Sequence, residues 1–103
     1  MPETSPRPGP RTLGPALAGL FTRLGLPAPE EFAALETTLT VELARRGHRA
    51  RLQSLRRGVL VLVAENPLSA RQLDYDLDDV VATVRRAHPG LVVDRALVRV
   101  ARR

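Results

Sequence analysis

Residues 49–67 read Arg49-Ala50-Arg51-Leu52-Gln53-Ser54-Leu55-Arg56-Arg57-Gly58-Val59-Leu60-Val61-Leu62-Val63-Ala64-Glu65-Asn66-Pro67. Arg49, Arg51 and Gln53 alternate with Ala50, Leu52 and Ser54, the period-two pattern of a strand with one polar and one apolar face. Arg56-Arg57-Gly58 supplies a turn. Val59 to Val63 is an unbroken apolar run, which predicts the central and most buried strand. Asn66 then offers a side-chain cap, and Pro67 fits the first helical position, where its missing N–H has no partner to lose. The stretch therefore reads as a hairpin leading into a helix.

Toward the C-terminus, Leu73, Leu77, Val80, Val81 and Val84 recur at helical spacing, and His88-Pro89-Gly90 ends that helix. A last strand is predicted over Leu91–Ala101, with Leu97, Val98 and Val100 apolar and Arg95 and Arg99 on one face. Toward the N-terminus, Pro27 and Pro29 open a helix with Glu30 and Glu31 in its first turn and Arg45 and Arg46 in its last. Both placements favour the helix macrodipole. Phe32, Leu35, Leu39 and Leu43 form its apolar stripe, and Gly47 closes it. The run Thr37-Thr38-Leu39-Thr40-Val41 is rich in β-branched residues, and Leu39, Val41 and Leu43 alternate, so a strand competes with the helix there. An earlier helix is read from Leu13, Leu17, Leu20, Phe21 and Leu24, with Pro15 in its first turn and Gly25 at its end. Residues 1–12 hold four prolines and read as a flexible tail.

The expected architecture is α+β, in the order α-α-β-β-α-β: a single domain over residues 13–103, with a three-stranded sheet and its helices packed on one face. Its 103 residues suffice for one modest core, built from Leu, Val and Ala because Phe21, Phe32 and Tyr75 are the only aromatics. The chain has no cysteine, which excludes disulfides, thiolate metal sites and cysteine nucleophiles. It shows no charged-then-apolar leader pattern and no apolar run of the ~18 residues that suggests a membrane span. These features lead to the expectation of a soluble cytoplasmic protein, compatible with the nucleoid, with no membrane partner, cofactor, metal or small-molecule substrate.

Net charge is +5, and all sixteen basic residues are arginine. Guanidinium groups are planar, permanently charged and bidentate, which suits phosphate. Arg45, Arg46, Arg49, Arg51, Arg56 and Arg57 fall within thirteen residues, with His48 among them. The predicted elements would gather them from a helix end, the outer strand face and the hairpin tip into one surface, which Arg95, Arg99, Arg102 and Arg103 extend if the third strand lies beside the hairpin. Such a cluster neutralises phosphates and releases counterions, so nucleic acid is the leading partner. The alternatives are an acidic protein surface and a solvated basic face. No base-reading device and no exposed stacking aromatics accompany the cluster, so contacts to the backbone without sequence preference are expected.

Asp74, Tyr75, Asp76, Asp78 and Asp79 form a second group, placed at the start of the third helix. The D-x-D-x-D spacing fails as a calcium loop because Asp79 stands where glycine is needed and Arg85 where glutamate is needed. A solvated, dipole-stabilising face or a docking surface for a protein partner remain. No catalytic set is visible: His48 and His88 lie beside element ends, where exposed structural roles are expected, and Ser54 and Ser69 have no evident base. The chain reads as a non-enzyme.

The segments Leu13–Leu24, Leu43-Ala44, Arg51-Leu52, Gly58-Val59-Leu60-Val61-Leu62-Val63, Ala70-Arg71-Gln72-Leu73 and Leu97–Val100 together resemble the DciA family of bacterial replicative-helicase loaders. The resemblance implies a KH-like fold. It also implies an adaptor that binds single- or double-stranded DNA and the DnaB-type replicative helicase, assisting the helicase onto DNA. An RNA-binding module tied to ribosomes or translation, and a pure protein-interaction domain, are the competing functional readings.

Overall fold

A computed structural model describes residues 25–102. The tail at 1–12, the helix read over Leu13–Leu24 and Arg103 lie outside the described residues. The elements are α1 (Pro29–Arg45), β1 (Ala50–Arg56), β2 (Val59–Ala64), α2 (Pro67–Ala87) and β3 (Arg95–Val100). The described residues thus form a small α+β unit with two helices and a three-stranded mixed sheet. The sheet order is β1-β2-β3, with β1 and β2 antiparallel and β2 and β3 parallel. A parallel pair cannot be joined by a tight turn, and α2 is the crossover that joins this one. Among the described residues no helix is long and apolar enough to cross a membrane.

Helix α1 runs unbroken through Thr37–Leu43, so the competing strand does not form. Leu35, Leu39 and Leu43 fall one above another at i, i+4, i+8 and are all buried, whereas Val41 is 62% exposed, although alternation would put Leu39, Val41 and Leu43 on one face. Thr37 returns its hydroxyl to the Ala33 carbonyl at 3.2 Å, so the β-branched run stays satisfied within the helix. The N-terminus is tied by Glu31, whose Oε1 accepts from the Ala28 N–H at 2.9 Å. At the C-terminus the His48 N–H donates to the Leu43 carbonyl and the Gly47 N–H to Ala44, a Schellman closure. That closure needs the left-handed φ of 79° that Gly47 adopts.

Helix α2 starts as the sequence indicates, with Asn66 Oδ1 accepting from the Ser69 N–H at 2.8 Å. It begins at Pro67, however, so Asp74–Asp79 occupy its middle turns, and its first turn carries no acidic residue. The expected macrodipole role for these aspartates therefore falls away, because the effect fades beyond the first turn.

The core joins Leu35, Leu39 and Leu43 of α1 to Leu73, Val80, Val81 and Val84 of α2, over Leu52, Leu55, Leu60 and Leu62 of the sheet. Both helices thus cover the same sheet face. Leu52 and Leu55 are three residues apart, an odd spacing that strict alternation would place on opposite faces. A register shift between Leu52 and Ser54, at Gln53, restores both to the core side. Ser54 consequently pairs with Val61 on the uncovered face, not with the apolar side as alternation alone suggests. β3 also begins later than read from sequence. The Asp94 and Arg95 N–H groups both donate to the Gly58 carbonyl in the hairpin turn. β2 offers no ladder before Val59, so Leu91–Asp94 have no strand to pair with and form a loop. Val93 of that loop still fills the core. Arg85 holds the loop, donating to the Val93 carbonyl at 2.8 Å and the Asp94 carbonyl at 3.1 Å.

Candidate nucleic-acid interface

The ladder registers fix which residues share the sheet face that the two described helices leave uncovered. Across the three strands the rows are Arg51–Val63–Arg99, Ser54–Val61–Leu97 and Arg56–Val59–Arg95. The face is therefore an apolar strip from β2, broadened by Leu97, with arginines at both ends of both edge strands. Two inter-strand spacings separate the arginines across a row by roughly 9.6 Å at Cα, and four residues along β3 separate Arg95 from Arg99 by roughly 13 Å. Leu97 is 42% exposed. No aromatic lies in these rows. Among the described residues, none of Arg51, Arg56, Arg95 and Arg99 has a carboxylate within ion-pairing distance.

At one end of this face a shallow groove of about 640 Å³ is lined by Arg51, Gln53, Val63, Arg99 and Arg102, among others. Arg49 sits next to it, cross-strand from Glu65, with 3.5 Å between their charged groups. Both side chains are mostly exposed, so water screens the pair and leaves Arg49 largely available to a stronger anion. Arg57 stands at the hairpin tip, with a φ of 50°, and its N–H donates to the Gly25 carbonyl at 2.7 Å.

The expected single basic surface is not what folding produces. Arg45 and Arg46 belong to the helical layer, where both grip Glu42: Arg45 Nη2 lies 2.7 Å from Oε2, and Arg46 Nε bonds the same oxygen. Arg46 also comes within 4.0 Å of Asp76 and of Asp79 on α2. Its side chain is mostly buried, and its charge is already matched. The signal was present in the sequence, since Glu42 precedes Arg45 by three residues and Arg46 by four, the spacings at which helical side chains meet. The basic cluster thus divides into a sheet-face group (Arg51, Arg56, Arg95 and Arg99, with Arg49 and Arg102 adjoining), a turn residue (Arg57) and a carboxylate-bound pair (Arg45 and Arg46).

The histidines are not exposed. His48 Nε2 meets Asp76 Oδ2 at 2.7 Å with the His48 side chain only 7% exposed, and His88 Nε2 meets Thr38 Oγ1 at 2.7 Å. His88 ties the end of α2 to α1, and His48 ties the α1–β1 connection to α2. Asp76 is thereby turned inward, whereas Asp74, Asp78 and Asp79 stay in solvent. Tyr75 is 83% exposed on the same outer helix surface.

Hydrogen bonds from Arg45 first, and then Arg46, hold the Glu42 carboxyl below its ordinary value of 4.5. A lowered carboxylate pKa means that the folded state binds this proton less readily than the unfolded chain. The linkage therefore stabilises fully above about 4.5 and is lost as pH falls through the lower folded value. Thermal melts between pH 6 and pH 3 are expected to show a steeper acid loss for the native chain than for Glu42→Gln, and parallel curves would contradict this.

Comparison with protein families, curated proteins and solved structures gives no match to this chain.

Proposed function

We propose that this domain is a DNA-binding adaptor that grips phosphates with the open face of its sheet and does not read sequence. The observation that carries the reading is the set Arg51, Arg56, Arg95 and Arg99, which shares one face and lacks carboxylate partners among the described residues. Guanidinium groups with no carboxylate partner among the described residues attract a polyanion through charge and counterion release. Without aromatics on that face, base stacking contributes little.

The resemblance to DciA-type helicase loaders supplies the rest of the reading: a KH-like domain that helps place the replicative helicase on DNA. The hairpin, crossover helix and third strand, with both described helices on one face, support it. The helical layer on the far side leaves Tyr75, Asp74 and Asp78 exposed, a surface suited to a protein partner while DNA occupies the sheet. No catalytic step is assigned to the domain.

Fluorescence anisotropy with labelled single- and double-stranded DNA tests the binding. The logarithm of the affinity is expected to fall linearly with the logarithm of salt, with a slope of about −3 to −4 if the four arginines each neutralise one phosphate. Absence of binding at low salt, or affinity indifferent to salt, contradicts the reading. RNA outcompeting DNA reassigns the polyanion to RNA. Failure of the domain to retain a DnaB-type helicase in a pull-down removes the loading role and leaves DNA binding standing.

A further inference from the structure

The two arginine rows of the sheet face are not equivalent. The Arg56–Val59–Arg95 row lies beside the hairpin turn, where the Asp94 side chain sits over Gly58. The Arg51–Val63–Arg99 row instead opens into the groove that Arg102 also lines, with Val63, only 8% exposed, as its floor. Arg51 and Arg99 approach this floor from the two edge strands, Arg102 closes on it from beyond β3, and Gln53 at the bulge adds an uncharged amide that can donate. Among the described residues none of these three arginines has a carboxylate partner.

We propose that this groove seats a terminal phosphate group, a phosphomonoester or polyphosphate, in preference to an internal phosphodiester. The inference rests on the nucleic-acid reading and narrows it to one subsite. Its basis is charge matching. Three guanidinium groups lining one groove repel one another, and an internal phosphodiester brings a single negative charge. A terminal phosphate carries roughly −1.5 to −2 at neutral pH and presents three acceptor oxygens, which three planar forks can share. The apolar floor at Val63 excludes water from one side and strengthens those contacts. The shared chemistry could be offered by a nucleic-acid end or by a free polyphosphate.

Competition anisotropy on the full chain separates the outcomes. One labelled oligonucleotide sequence is compared with a 5′-phosphate, a 3′-phosphate or hydroxyl ends, with inorganic tripolyphosphate as competitor. A terminal phosphate is expected to tighten binding about tenfold at fixed salt, the equivalent of one added charge-assisted hydrogen bond. Arg102→Gln is expected to erase that gain, so that phosphate-ended and hydroxyl-ended oligonucleotides bind the variant with equal affinity. Equal affinity for phosphate and hydroxyl ends overturns the proposal and leaves general DNA binding intact. If no oligonucleotide binds but tripolyphosphate does, read directly by titration calorimetry, the groove is a polyphosphate site and the nucleic-acid reading fails. If neither binds, both fail.

Discussion

Replacing Leu60 by Ala is expected to destabilise the domain by about 2–5 kcal/mol, read as a lower denaturation midpoint at unchanged m-value. Leu60 is fully buried in the central strand, between Leu55 of β1 and Ala96 of β3 on the ladder, and faces the leucines and valines of both helices. Truncation removes apolar contacts and leaves a cavity that a rigid sheet cannot close. In a domain this small, total stability is about 5–15 kcal/mol, so the loss is a large share of it. Val61 is its neighbour in the same strand but points to the open face. Val61→Ala is expected to cost well under half as much. The comparison is sensitive because a strand slipped by one residue would exchange the two faces completely. Equal costs at Leu60 and Val61 would contradict the assignment of faces on which the interface depends.

Much of this fold was legible in single residues. The i, i+4 stripes of α1 and α2, the Asn66-Pro67 start and the Val59–Val63 run each dictate their element through local chemistry. Features decided by ladder pairing were harder to read. The bulge at Gln53 exists because Leu52 and Leu55 must both reach a core that alternation would deny to one of them. The start of β3 is set by where β2 begins, not by where the apolar residues of 91–94 begin. The candidate interface was half legible. Arginine clustering along the chain pointed to the hairpin, but chain proximity merged two layers that folding separates. Arg46 and Arg49 are three residues apart, yet one answers Glu42 within a helix and the other flanks the sheet. The i+3 and i+4 relation of Glu42 to Arg45 and Arg46 was readable and separates them. The convergence of Arg51, Arg99 and Arg102 was legible only on the condition that the last strand lies beside the hairpin, because it depends on the parallel register of β3 against β2.

Replacing Arg51 and Arg99 together by Gln is expected to weaken DNA binding by roughly tenfold to a hundredfold at low salt, equally across sequences. Both side chains are on an exposed sheet face without ion-pair partners among the described residues, so folding stability should change by no more than about 0.5 kcal/mol. Arg45→Gln serves as the contrast, because its guanidinium is already engaged by Glu42. The direct test is the slope of log affinity against log salt for the three proteins on one DNA. A slope shallower by about 1.5–2 for the double variant, with Arg45→Gln matching the native chain, is the expected result. An unchanged slope in the double variant, or an equal reduction in Arg45→Gln, would mean that the phosphates are held elsewhere than on the open sheet face.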